Sequence, residues 1–182
     1  MLAYLETVES PAGPLTFAVD EEGRLLRVSF LDGNYPRTIE QELRDEGYTL
    51  VADDRHTAHV RQQLDEYNAG TRLEFDLPLA LVGSEWQQVV WNALLDIPFG
   101  ETWSYGQIAV TVGQPGSARA VGRANGTNRI PLIIPCHRVI GADGTLTGFG
   151  GGLHLKVALL EHERRVLGIP EAPRTLALAL PL

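Results

Sequence analysis

The 182 residues are 44% hydrophobic and 21% charged, with 19 Gly and 11 Pro, a composition that excludes a disordered or fibrous chain. No run of about 18 apolar residues could cross a bilayer and no basic segment precedes an apolar one at the N-terminus, so we expect neither membrane span nor leader, and a cytoplasmic location. The formal charge of -8 argues against an indiscriminate polyanion binder, yet it is unevenly spread: residues 1–98 hold 18 acidic and 7 basic side chains, whereas residues 99–165 hold 4 and 7, so any nucleic-acid site is expected after residue 98.

In chain order, Leu2 to Val8, Pro14 to Val19 and Arg24 to Phe30 read as strands, with Asp20-Glu21-Glu22-Gly23 as a hairpin turn. Thr38 to Asp45 and Asp53 to Asn68 read as helices, the second with Val60, Leu64 and Tyr67 at helical spacing and Gly70 as its stop. Leu73 to Val82 returns to an extended, apolar pattern. From Ser84 the texture changes. Ser84 and Gln87 form a capping box opening a helix with the apolar stripe Trp86, Val89, Val90, Ala93 and Leu94, which Pro98 and Gly100 end. A second box, Ser104 with Gln107, opens a short helix that stops at Gly113, and after the turn Gln114-Pro115-Gly116 a further helix runs from Ser117 to about Ala124. Two short helices around a glycine-containing turn, the second bearing Arg119 and Arg123, fit a helix-turn-helix, although paired helices are also common architecture. Ile130 to Pro135 is an apolar support stiffened by two prolines, Ala142-Asp143-Gly144 should turn, and a glycine-rich loop at Gly148 to Gly152 leads into a closing helix from Leu153 to about Val166. The tail to Leu182 is too short to span a membrane and has no assigned role.

The single cysteine, Cys136, excludes an intramolecular disulfide and zinc sites built from several thiolates, and suits a reducing compartment. A lone cysteine is by default a small buried hydrophobe; its neighbours decide otherwise. A thiol is a nucleophile as thiolate, and His137 and Arg138 are candidate activating groups. In an extended chain adjacent side chains point to opposite faces, so His137 would reach Cys136 through a turn or a bridging water. Glu161 or Glu163 could fix the histidine tautomer, unless the pair is a surface ion pair of little consequence.

Ile134-Pro135-Cys136-His137-Arg138-Val139 resembles the active-site signature of the O6-alkylguanine-DNA alkyltransferases. Val90-Trp91, Ile97-Pro98-x-Gly100 and Ser104-Tyr105-Gly106 resemble that family upstream, as do Ala118-Arg119-Ala120-Val121-Gly122 and Asn128. Downstream, Gly151-Gly152-Leu153, Lys156 and Leu159-Leu160-x-His162-Glu163 fall in register, so the resemblance is specific from about residue 84 to 168 and general before it. It implies an α/β two-domain chain: a ribonuclease H-like α/β domain over 1–82, a mainly helical winged helix-turn-helix domain over 83–168, then a tail over 169–182. It implies Cys136 as acceptor of an alkyl group from O6-alkylguanine in double-stranded DNA, His137 as a water-mediated base, Glu163 as its orienter and Asn128 as a brace. Tyr105 would bond the extruded base and help protonate the leaving guanine, and Arg119 would fill the gap the base leaves. Ser104, Ala118, Arg123 and Arg129 would join the DNA contact, reached through the minor groove, with Arg138 adding positive charge. Gly148, Phe149, Gly150 and Gly151 would line the pocket with Tyr105.

Two departures from the family pattern stand out. Relatives that hold structural zinc use N-terminal cysteines, and none precedes Cys136, so we expect no metal, and no cofactor either. Phe149-Gly150 stands where several relatives carry an aromatic residue followed by a serine that can bond the base oxygen, which leaves the lesion preference open, methyl or bulkier, guanine or O4-alkylthymine. A monomer is expected. The alternatives are a cysteine hydrolase using Cys136, His137 and Glu163, or a non-enzymatic protein that flags alkylated bases, a class that replaces the acceptor cysteine.

Overall fold

The computed structural model describes residues 1–170, so the tail from residue 171 lies outside the described residues. Strands β1 (Leu2–Val8), β2 (Leu15–Val19) and β3 (Leu25–Phe30) form an antiparallel meander, as their alternation predicts. Helix α1 (Ile39–Asp45) then crosses to β4 (Thr49–Val51), which pairs parallel to β1 and completes the order β3-β2-β1-β4 before α2 (Asp54–Asn68). Both faces of this sheet are covered. Ala3, Ala18 and Leu26 pack with Ile39 and Leu43 of α1, while Tyr4, Phe17 and Val19 join the cluster that holds Val60, Leu64 and Tyr67 of α2. The extended stretch predicted over Leu73 to Val82 makes a single bridge, Leu79 with Leu25. It does not become a strand of the sheet, because Pro78 has no N–H to continue a ladder.

The second half is mainly helical: α3 (Glu85–Leu95), β5 (Trp103–Ser104), α4 (Tyr105–Thr111), α5 (Ala118–Gly126), a 3-10 turn (Cys136–Arg138), β6 (Val139–Ile140) and α6 (Leu153–Val166). Both predicted capping boxes form in full, Ser84 with Gln87 and Ser104 with Gln107. The buried face of α3 is rotated from the predicted stripe: Val90, Trp91, Ala93 and Leu94 are buried and Val89 is exposed. The cause is Trp91, whose indole N–H donates to the Ala124 carbonyl of α5 at 2.9 Å and turns the larger ring inward. Helix α4 ends where expected. Gly113 takes φ 71°, and the N–H groups of Gly113 and Gln114 return to the carbonyls of Val110 and Ala109, satisfying two otherwise orphaned acceptors.

Helix α5 buries Val121, Ala124 and Asn125 and leaves Arg119 and Arg123 exposed. Residues of the sheet and of both helical regions, from Phe17 and Tyr67 to Leu94, Ile134 and Leu159, belong to one continuous apolar cluster. The two halves of the chain therefore share a core, and N-terminal side chains can reach the cysteine. Among the described residues no helix is long and apolar enough to cross a membrane.

Candidate active site

Cys136 sits at the end of a strained support. Leu132 adopts φ 75°, a conformation unfavourable for a residue with a β-carbon, and the burial of Leu132, Ile133 and Ile134 holds it there. Pro135, at φ -79° and ψ 59°, makes an inverse γ-turn closed by the Cys136 N–H on the Ile134 carbonyl at 2.7 Å. The chain then winds as a 3-10 turn through Cys136, His137 and Arg138, so the two adjacent side chains are not forced to opposite faces. Asn128 braces the support from both sides: its amide donates to the Ile134 carbonyl and its oxygen accepts from the Ile130 N–H, each at 2.9 Å.

The turn is buried. Cys136 is 4% exposed and His137 and Glu163 are fully covered. Burial pushes the thiol pKa up to about 11, against the pull of the Asn128 side chain and the Lys156 ammonium. Burial likewise lowers the pKa of His137, outweighing the nearby Glu163 carboxylate, so the ring is neutral. Its Nε2 lies 2.7 Å from Glu163 Oε1 and Nδ1 has no partner among the described residues. A neutral imidazole facing a carboxylate donates from that nitrogen, leaving Nδ1 as the free acceptor. The site is thus a protonated thiol beside a neutral base.

Glu163 is the centre of a buried network. Burial opposes its charge, but His137 and the Arg138 guanidinium outweigh that and hold its pKa down to about 2. With its ring neutral, His137 remains a hydrogen-bond donor but is not a charge partner; the other donors are Arg138, from Nε and Nη2 at 2.9–3.1 Å, the Tyr67 hydroxyl at 2.9 Å and the Gly100 N–H at 2.9 Å. Glu161, the other candidate orienter, is exposed. Arg138 is not the surface cation expected for DNA: it is 6% exposed and committed to Glu163 and the Ile97 carbonyl. Arg129 is half-exposed but paired with Glu46 of α1 at 2.8 Å. Ser104 spends its hydroxyl as the α4 cap, and Ala118 is the first residue of α5.

A cavity of ~510 Å³ opens on Cys136, lined by Phe149, Gly150 and Gly151 as expected, but also by Tyr35, Arg37 and Asn128. Tyr105 and Gly148 are not part of its wall; the Tyr105 hydroxyl donates to the Thr147 carbonyl at 3.3 Å beside Gly148. Lys156, also buried, donates to the carbonyls of Val139 and Thr147, tying the turn after Cys136 to the glycine-rich loop. Burial lowers its pKa to about 8. Sequence reasoning missed Tyr67, Tyr35 and the buried role of Arg138, because each depends on contacts across tens of residues that leave no local pattern. His56 and His59, three residues apart on α2, are engaged separately: His56 stacks on Tyr4 and meets Asp53, and His59 meets the Gly23 carbonyl.

Because the thiol is raised from 9.0 to about 11, the native thiolate fraction at pH 7 is lower by about a hundredfold than for an ordinary cysteine. Iodoacetamide at pH 7 should therefore label the native protein at least that much more slowly than the urea-unfolded chain, as read by mass; equal rates would show that burial neither shields the resting thiol nor raises its pKa above the ordinary value.

Residues 3–81 match the ribonuclease-like domain of 6-O-methylguanine DNA methyltransferase and residues 85–165 match its DNA binding domain. The chain is 48% identical over 163 residues to the methylated-DNA–protein-cysteine methyltransferase of Mycobacterium bovis, covering 90% of this chain and 93% of that protein. It is 46% identical over 160 residues to the protein of the same name from Methanosarcina acetivorans, covering 88% and 97%. Its structure is similar to that of Mycobacterium tuberculosis OGT solved in complex with DNA, at a TM-score of 0.78 and 45% identity over 90% of this chain and 94% of that one.

Proposed function

The chain belongs to the 6-O-methylguanine DNA methyltransferase family, and from that membership we propose that it repairs DNA by moving an alkyl group from O6-alkylguanine onto Cys136. The reaction class, alkyl transfer from DNA to a protein cysteine, is that of its named relatives. The observation that carries the assignment to Cys136 is the buried pairing of His137 Nε2 with Glu163, which leaves Nδ1 as a proton acceptor in the same turn as the thiol.

In this reading His137 takes the thiol proton through a water, and the sulfur attacks the alkyl carbon. The carbon–O6 bond breaks, its electron pair returns to the guanine, and Tyr105 supplies the proton that the leaving base needs. The protein is left with a thioether on Cys136. The glycine-rich loop from Gly148 to Gly151 would line the pocket, where the glycines' lack of side chains permits close approach of the base. Arg119 and Arg123, exposed on α5, are read as the DNA-facing cations, with α5 in the minor groove and Arg119 in the gap left by the flipped base. A monomer suffices for every step. Arg138 is removed from the DNA contact, and Arg129 would have to leave Glu46 to join it.

A thioether has no leaving group that hydrolysis can displace, so one protein should react once. On incubation with duplex containing O6-methylguanine, the intact mass should rise by one CH2, mapped to the peptide holding Cys136, and product should stop at one equivalent. Product in clear molar excess would favour a cysteine hydrolase, and binding with no mass change would favour a base-flagging protein.

A further inference from the structure

Tyr35 comes from the loop after β3, yet its ring lines the cavity that opens on Cys136. The ring is half-buried, but the hydroxyl oxygen is fully buried and has no hydrogen-bond partner among the described residues. Such a buried, unmet donor is rare and calls for an explanation. The loop is built to hold it. The Asn34 N–H donates to the Gly151 carbonyl at 3.2 Å. A β-carbon on Gly33 would lie 2.2 Å from the Tyr35 ring, and one on Gly151 would lie 2.8 Å from its hydroxyl, so the absence of side chains there is what lets the ring lie against the glycine-rich loop.

Two other buried polar atoms of the cavity wall lack a hydrogen bond among the described residues, Asn125 Oδ1, which can only accept, and Arg27 Nε, which faces Glu42 at 3.6 Å, so Tyr35 supplies the one unmet buried hydroxyl of the wall. Asn128 is committed to Ile130 and Ile134, and Arg27, Glu42, Glu46 and Arg129 pair with one another. We infer that Tyr35, supplied by the N-terminal domain, is a substrate-positioning residue, whose phenol O–H hydrogen-bonds an acceptor on the edge of the extruded base that carries the alkyl group. This inference rests on Cys136 being the acceptor. Burial, with the Cys136 charge second, raises the phenol pKa against the pull of the Phe30 backbone, which makes no full hydrogen bond to the oxygen, so the group remains a donor across the working pH range.

The test compares wild type, Tyr35→Phe and Tyr35→Phe/Gly150→Ser. A β-carbon on Gly150 would lie 3.8 Å from the Tyr35 ring, an ordinary contact, so a serine fits there and brings a hydroxyl to the same wall. Single-turnover transfer is measured at saturating O6-methylguanine duplex and with free O6-benzylguanine, beside DNA affinity and melting temperature. Loss of one hydrogen bond should slow transfer by about tenfold on both substrates, with DNA affinity and melting temperature unchanged, and the serine should recover most of the rate. A Tyr35→Phe rate equal to wild type, or a loss that Gly150→Ser does not restore, overturns the inference. Failure of the underlying assignment is visible separately, since wild type itself would then place no alkyl group on Cys136.

Discussion

Replacing Glu163 with alanine should destabilise the protein by about 3–5 kcal/mol, the range for removing one partner of a buried ion pair, and lower the melting temperature by on the order of 10 °C. The substitution strands four donors at once: the Arg138 guanidinium, 6% exposed, the Tyr67 hydroxyl, the Gly100 N–H and the His137 ring nitrogen. Tyr67 belongs to α2 and Gly100 to the turn after α3, so the carboxylate joins the N-terminal domain to the cysteine turn. Glu163→Gln keeps an acceptor for Tyr67 and His137 but leaves Arg138 without a counter-charge, and should fall between. The same group sets an acid limit. Its pKa is about 2 in the folded protein against 4.5 for a free glutamate, so its contribution is present above pH 4.5 and is lost as pH falls from there towards 2. Thermal unfolding at pH 7 and pH 3 measures both. A Glu163→Ala protein that melts within two or so degrees of wild type would mean the network is solvated and the charge screened.

The elements that could be read from the sequence were those whose signals are local. Ser84 with Gln87 and Ser104 with Gln107 stand three residues apart, and a capping box needs nothing more distant. The meander was legible because Leu15, Phe17 and Val19 alternate with Thr16 and Ala18, although burial of both sets came only with the helices on each face. Strand β4 was not legible: three residues give no period, and their partner is β1, nearly fifty positions away. Likewise Val89 fits the stripe by spacing, but the helix turns Trp91 inward because its indole N–H finds an acceptor at Ala124 of α5, a partner that no local period encodes.

At the site, the residues carried by the family pattern, Cys136, His137, Asn128 and Glu163, are brought together by the fold. Arg138 misled because a cation beside a nucleophile suits a phosphate contact equally well; only burial and the fork on Glu163 decide its role. Tyr67 reaches Glu163 across 96 positions and Tyr35 reaches the cavity at Cys136 across about a hundred. Contacts of that length are set by domain docking, which periodicity and motif spacing do not encode.

Extrusion of the base and transfer of the alkyl group should be separable, because their agents lie on different elements. Arg119 is exposed on α5, whereas Cys136 is buried beyond the strained support that begins at Pro131. Cys136→Ser should lose transfer to the limit of detection, since a hydroxyl is far too poor a nucleophile for this displacement. It should keep DNA affinity, because a side chain that is 4% exposed contributes little to a surface contact. Arg119→Ala leaves the thiol, His137 and Glu163 untouched but removes the group that would occupy the gap in the duplex. The base can then restack, which recovers a few kcal/mol, so transfer from duplex should slow by roughly a hundredfold. Free O6-benzylguanine needs no extrusion and should react with Arg119→Ala at nearly the wild-type rate. Equal losses on duplex and free base would instead mean that Arg119 supports the fold or the acceptor turn, and that the extruding group lies elsewhere on α5.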